Sequence, residues 1–190
     1  MITDDHIVDG CLAGKRKAYD QLYRKYAASM LGLCLRYCGN LQDAEDVLQE
    51  GFIKVFRNIS NFRRAGSFEG WIKRIMVNSA IDHYQKELKH SFHAEIDQDL
   101  GLAEESTEES LLNEYQFTQE QLLKMVQELP QGYRMVFNMY VIEGFNHRDI
   151  ADTLQISENT SKTQLMKARR MLKSRLLQLI SKEEMRVIVK

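Results

Sequence analysis

The sequence is short of helix breakers. One proline, Pro130, stands in 190 residues, and no run of alternating β-branched residues offers a half-buried strand. Leu, Met, Gln, Lys, Arg and Glu recur instead at three-to-four spacing, which predicts an all-α fold. Cysteine is scarce as well. Cys11, Cys34 and Cys38 form no CxxC pair, and their odd number argues against a disulfide framework and for a reducing cytoplasm. Cys34 and Cys38 lie four apart on an apolar helical face, where buried small hydrophobes are expected rather than metal ligands. No stretch approaches the roughly 18 apolar residues of a membrane span. The opening MITDDHIVDG has neither the basic nor the apolar region of a secretory signal. The expectation is a cytoplasmic protein without a membrane segment.

Net charge is nearly absent too, at −1, but only on average. Residues 1–90 carry 14 Lys and Arg against 11 Asp and Glu, residues 91–130 carry 1 against 10, and residues 131–190 carry 11 against 6. Two basic ends therefore flank an acidic middle. That middle, SFHAEIDQDLGLAEESTEESLLNEYQ, loses apolar periodicity and gathers like charge, the pattern of a solvated linker. It divides the chain into a first domain (1–90), a flexible acidic linker (91–113), a second domain (114–180) and a tail (181–190). At about 3.3–3.6 Å per residue, such a linker reaches about 75–80 Å when extended.

In the second domain, Val136, Phe137, Tyr140 and Val141 are expected on one helical face, with Gly144 ending that helix. Asn146 is placed to cap a short helix through Ile150, Ala151 and Leu154, with Asp149 as its reciprocal partner. Gln155, Ile156 and Ser157 then form a turn, and Ser157 caps a longer helix. Ser161, Leu165, Ala168, Leu172 and Leu176 line one side of that helix. Asn159, Lys162, Thr163, Gln164, Lys167, Arg169 and Arg170 face outward. An apolar back with a polar and basic front is the arrangement of a helix-turn-helix that reads duplex DNA. Asn and Gln suit adenine, while Lys and Arg suit guanine or phosphate.

In the first domain, Tyr19, Leu22, Tyr23, Tyr26, Met30, Leu33, Cys34 and Tyr37 trace one buried helical face. Asn40 caps the next helix, whose Val47, Leu48, Phe52, Val55, Phe56 and Ile59 turn inward. Asp43, Glu45, Asp46, Gln49, Glu50 and Lys54 stay partly outside. The following stretch, NFRRAGSFEGWIKRIMVNSAIDHYQK, sets Arg63, Arg64, Gly66 and Ser67 in a loop between Phe62 and Phe68. A helix with Trp71, Lys73, Arg74, Asn78, Asp82 and Tyr84 follows. Aromatics interleaved with cations stack unpaired bases and neutralise phosphate, as single strands require. Trp71, Ile72, Ile75 and Ala80 also fit a plain core.

Four segments, DAEDVLQEGFIKVF, FRRAGSFEGWIKRIMVNSAIDHYQK, LPQGYRMVFNMYVIEGFNHRDIADTL and ISENTSKTQLMKARRML, resemble in order a bacterial sigma factor of the extracytoplasmic function (ECF) group of the sigma-70 family. The resemblance covers nearly the whole chain apart from the linker and tail. It implies that the first domain is the second sigma domain, that the C-terminal one is the fourth, and that core RNA polymerase is the partner, met through its clamp helices and flap. Carried over by position, Asp46, Gln49, Glu50, Phe52 and Lys54 dock on the clamp helices. Phe62, Arg63, Arg64, Ser67, Phe68, Trp71, Arg74, Asn78 and Asp82 open the −10 element and capture a flipped base. The helix with Glu158, Asn159, Thr160, Lys162, Thr163, Gln164, Lys167, Arg169 and Arg170 reads the −35 element as duplex. An anti-sigma factor is a further partner that the family resemblance suggests, and no cofactor is implied. Ser161 stands where many relatives have valine and Gln164 where many have arginine. Looser packing of the recognition helix and a changed DNA contact are the respective expectations.

Two other readings compete. A stand-alone helix-turn-helix regulator would use the first domain as a sensor or dimeriser, which has no use for single-strand chemistry. A metalloenzyme would recruit His83, His90 and His93 with Asp82, but neither paired carboxylates nor a phosphate-cradling glycine loop accompany them.

Overall fold

The computed structural model describes residues 3–90 and 116–188. The expected acidic linker, 91–113, lies outside the described residues. Among those described, every regular element is helical, and no helix is long and apolar enough to cross a membrane. The chain divides into two compact units, one ending at Leu88 and the other beginning at Lys89.

The first unit holds α1 (Asp4–Leu12), α2 (Arg16–Tyr37), α3 (Leu41–Asn58) and all but the last two residues of α4 (Phe68–His90), with a 3-10 turn (Ile59–Asn61) after α3. Thr3 caps α1 by accepting from His6 N, and Asn40 caps α3 by accepting from Asp43 N at 2.9 Å. Each cap satisfies an amide that the helix itself leaves unpaired. Leu22, Tyr26, Met30, Leu33, Cys34 and Tyr37 of α2 pack with Val47, Phe52 and Val55 of α3 and Ile72, Met76 and Ala80 of α4. Tyr23 departs from the expected face: it is 43% exposed and lies against Phe52, ring centroids 4.8 Å apart. All three cysteines are free and buried, and burial pushes the Cys34 thiol up to about 12. Gly51 sets how closely α3 approaches α4, because a Cβ there would stand 2.2 Å from Met76 Sδ.

The second unit holds α5 (Gln119–Gln127), α6 (Gln131–Phe137) with a π turn (Asn138–Ile142), α7 (His147–Leu154) and α8 (Glu158–Ile188). Thr118 and Gln121 form a capping box on α5. Arg175 of α8 donates to the carbonyls of Met125 at 2.9 Å and Glu128 at 3.1 Å, pinning α8 to the C-terminal end of α5 with a cation where the helix dipole favours one. The core is made by Met125, Leu129, Met135, Val136, Met139, Ile150, Leu154, Leu165 and Ala168. The expected face through Tyr140 and Val141 is displaced. Met135, Val136 and Met139, spaced i, i+1 and i+4, form the buried face instead, and Val141, two residues past Met139, falls on the opposite side, 46% exposed. The segment 181–190, set apart as a tail on sequence, begins inside α8, which continues to Ile188.

Candidate nucleic-acid interface

Local chemistry builds the turn between α7 and α8. Asn146 Oδ1 accepts from Asp149 N at 2.9 Å, and Asp149 Oδ2 accepts from the Asn146 amide at 2.7 Å, so the reciprocal bond runs side chain to side chain. Gln155 ends α7 in the left-handed region, φ 56° and ψ 43°, its N–H donating to Ala151 O. Ser157 Oγ then accepts from Thr160 N at 2.9 Å and starts α8. Leu165 and Ala168 bury the back of α8. Glu158, Asn159, Thr160, Lys162, Thr163 and Arg169 are exposed, while Gln164, Lys167 and Arg170 are half-buried. The expected DNA-facing residues thus occupy the surface of α8 away from the buried Ser161, Leu165 and Ala168. Met166, which the sequence did not single out, stands 59% exposed on α8, three residues from Thr163 and four from Lys162.

Looser packing at Ser161 is not what the structure holds. The side chain is fully buried and its Oγ lies 2.9 Å from His147 Nδ1, so the hydroxyl is paired rather than stranded. The His147 ring stacks on Tyr140 at 4.5 Å, and the Arg169 guanidinium lies over Tyr140 at 5.8 Å. Desolvation and the nearby Lys162 and Arg169 cations hold His147 below its ordinary pKa, against a smaller opposing pull from Glu158.

In the first unit, Phe62, Phe68 and Trp71 form one aromatic cluster with centroids 4.9 to 5.8 Å apart, the Phe68 and Trp71 rings nearly parallel. Phe68 is buried and meets Tyr26 edge-on, so it is an anchor and offers no face to a base. Phe62 and Trp71 are half-exposed. Trp71, Arg74, Asn78 and Asp82, spaced three, four and four apart, form a stripe along α4 with the last three exposed. Arg63 and Ser67 are exposed in the loop.

Arg64 is placed otherwise than expected. Its backbone is left-handed, φ 56°, and its guanidinium is ion-paired to Asp9 and, at 3.2 Å, to Asp5 of α1. The residue ties the loop to α1. Lys54 and Asp82, assigned on sequence to different partners, meet each other at 2.8 Å, and Lys54 also donates to Ser79 Oγ at 3.1 Å. Glu50 meets Lys86 at 3.3 Å one turn along. Asp46, Gln49 and Glu50 are exposed on α3, whereas Phe52 is buried against Tyr23 and Phe56. A groove beside them is lined by Tyr23, Ala27, Leu31, Leu48 and Gln49; the sequence placed Tyr23 on a buried face and did not single out Ala27 or Leu31. The residues of the metalloenzyme reading fall largely outside what the structure describes. Asp82 is engaged with Lys54, His93 lies outside the described residues, and of His90 only the backbone is described.

Comparison with known proteins gives these surfaces a family. Sigma-70 region 2 matches residues 22–89 and sigma-70 region 4 matches residues 119–172. The RNA polymerase sigma-H factor of Pseudomonas aeruginosa is 31% identical over 176 residues, spanning 87% of this chain and 90% of its own. The ECF RNA polymerase sigma-E factor of Haemophilus influenzae is 26% identical over 93% of this chain and 96% of its own. Among solved structures, the sigma factor RpoE of Bartonella quintana, crystallised with the anti-sigma factor NepR, overlaps with a TM-score of 0.48 at 18% identity, covering 85% of this chain and 98% of that one. The two region matches, in order and on the two helical units, and the relatives at nearly full length place the chain in the sigma-70 family of RNA polymerase sigma factors, within its ECF group.

Proposed function

We propose that the first unit docks on the clamp helices of core RNA polymerase through Asp46, Gln49 and Glu50 of α3 and opens the −10 element beside the Phe62–Ser67 loop. The second unit meets the polymerase flap and reads the −35 element as duplex through α8. The observation that carries the reading is the split within the aromatic cluster. Phe68 is buried as a floor, and Phe62 and Trp71 present half-exposed rings, with exposed Arg63 following Phe62 in the loop and exposed Arg74 and Asn78 about one and two turns along α4 from Trp71. Rings beside cations and an amide suit an unstacked base and its phosphates, and such contacts offset the cost of unpairing. A sensor domain has no use for this combination, which disfavours the stand-alone regulator.

Each site residue then takes a role that its surroundings allow. Phe52 and Phe68 shape the surfaces from beneath, Lys54 and Asp82 brace α3 against α4, and Arg64 holds the loop through α1. On α8, Asn159, Lys162, Thr163 and Gln164 face base edges while Lys167, Arg169 and Arg170 face phosphates, and Met166 offers an apolar contact to a thymine methyl. The near-zero net charge is then no obstacle, because the polymerase supplies most of the phosphate contact. The protein acts in the cytoplasm, where polymerase and chromosome are, and an anti-sigma factor that covers these same faces would silence it. The test is holoenzyme on a melted-bubble and a fully duplex promoter. Trp71→Ala is expected to slow opening of the duplex template while binding to the polymerase is kept; permanganate reactivity equal to wild type on the duplex would refute the assignment.

A further inference from the structure

One group of side chains outside the surfaces above has metal-ligand chemistry. Asp43 lies in the first turn of α3, and His83 and Glu87 lie four apart on α4. The ligand atoms of all three fall within 4.8 Å of one another. His83 Nε2 is buried and has no hydrogen-bond partner; Glu87 Oε1, at 3.7 Å, is beyond hydrogen-bonding distance. A buried ring nitrogen left unpaired is costly, and a native fold keeps few of them without reason. Here the nitrogen sits within reach of two carboxylates.

We infer that Asp43, His83 and Glu87 form a binding site for a divalent first-row transition cation, with zinc as the representative ion. Zinc takes imidazole nitrogen and carboxylate oxygen at about 2.0–2.2 Å in tetrahedral geometry, which sets neighbouring donors about 3.4 Å apart. The His83–Glu87 separation is already close to that value, and side-chain rotation of the half-buried Asp43 closes the rest. The i, i+4 spacing puts both α4 donors on one face of the helix. An imidazole donor favours zinc, cobalt or nickel over calcium and magnesium, which prefer oxygen alone. The Asn40 amide, 2.7 Å from Asp43 Oδ2, orients the third donor as a supporting partner in a metal site does. Three protein ligands leave a fourth position for water.

The bound cation staples the first turn of α3 to α4, one turn from Asp46. Metal occupancy therefore stiffens the helix that carries the proposed polymerase contacts. The inference does not depend on those contacts, and its test needs neither DNA nor polymerase. Full-length protein is stripped with chelator and titrated with zinc chloride by calorimetry, with thermal melts in parallel. One equivalent of zinc and a raised melting temperature are expected, both lost in His83→Gln and in Asp43→Asn. Neither variant removes a core side chain, and each is checked for wild-type melting without metal. Cobalt as a second probe is expected to give no thiolate charge-transfer band. Absence of saturable binding at micromolar zinc, binding that survives both substitutions, or a thiolate band showing that the buried cysteines hold the ion would each overturn the proposal.

Discussion

Gln155 makes the turn between α7 and α8 testable in isolation. It holds φ 56° and ψ 43° with its side chain in solvent. An L-residue in that region costs about 1–2 kcal/mol because Cβ crowds the following carbonyl. Glycine removes that cost but loses about 0.5–1 kcal/mol more chain freedom on folding. The net for Gln155→Gly is a gain of about 0.5–1 kcal/mol, or a few degrees in the melting temperature of a unit this small. Gln155→Ala keeps the Cβ and loses only an exposed amide, so it stays within about 0.5 kcal/mol of wild type. Gln155→Val adds a β-branch where none is tolerated and is the least stable of the set. The assay is thermal unfolding of the full chain by far-ultraviolet circular dichroism, with fluorescence of the lone Trp71 marking the first unit separately. The expected order is Gly above Gln and Ala, with Val last, and no change in the tryptophan transition. A valine variant as stable as the alanine one, or a glycine variant no better than wild type, would refute the left-handed turn.

The Arg64 ion pairs predict a charge-swap rescue. Arg64→Asp slows promoter opening, and adding Asp9→Arg restores much of it; no recovery in an open-complex assay would mean that Arg64 acts on DNA directly. His147 gives a pH dependence. Its folded pKa lies below the unfolded value near 6.5, so its contribution is fully present above that value and is lost as pH falls through the folded one. Melting temperature of the second unit therefore falls on acidification below about pH 6.5, and His147→Gln flattens the slope; an unchanged slope contradicts this. Glu50→Lys removes the Lys86 pairing and reverses an exposed charge on α3. It is expected to weaken binding to core polymerase by tenfold or so with melting nearly unchanged, a pattern that rim charges show at interfaces. Equal affinity in a titration would take Glu50 out of the interface.

What could be read from sequence was what depends on near neighbours. Asn40, Asn146 and Ser157 bond to amides three residues on, and the structure finds all three as caps. The apolar back of α8 was equally legible, since its spacing is set by helix geometry alone. Less visible was which face of the helix around Phe137 is buried, because apolar residues lie nearly all round it; Met135, Val136 and Met139 turn inward and Val141 is left in solvent. Pairings across the fold were invisible as well. Arg64 finds Asp9 from 55 residues away, and Ser161 finds His147 from a different helix. Positions carried over from the family include Phe52 and Phe68, and their burial, which follows from neighbours distant in sequence, was not legible there. Carry-over transfers position along the chain but not exposure, which is fixed by neighbours distant in sequence.

The central claim, that this chain gives core polymerase its promoter, is tested most directly by transcription itself. Core polymerase from the same source, with and without the protein, is run on a fragmented genomic template and every start site is sequenced. New starts that share two spaced sequence elements upstream are the predicted result. No new starts, together with tight duplex binding by the protein alone, would contradict it and favour a regulator that works without polymerase.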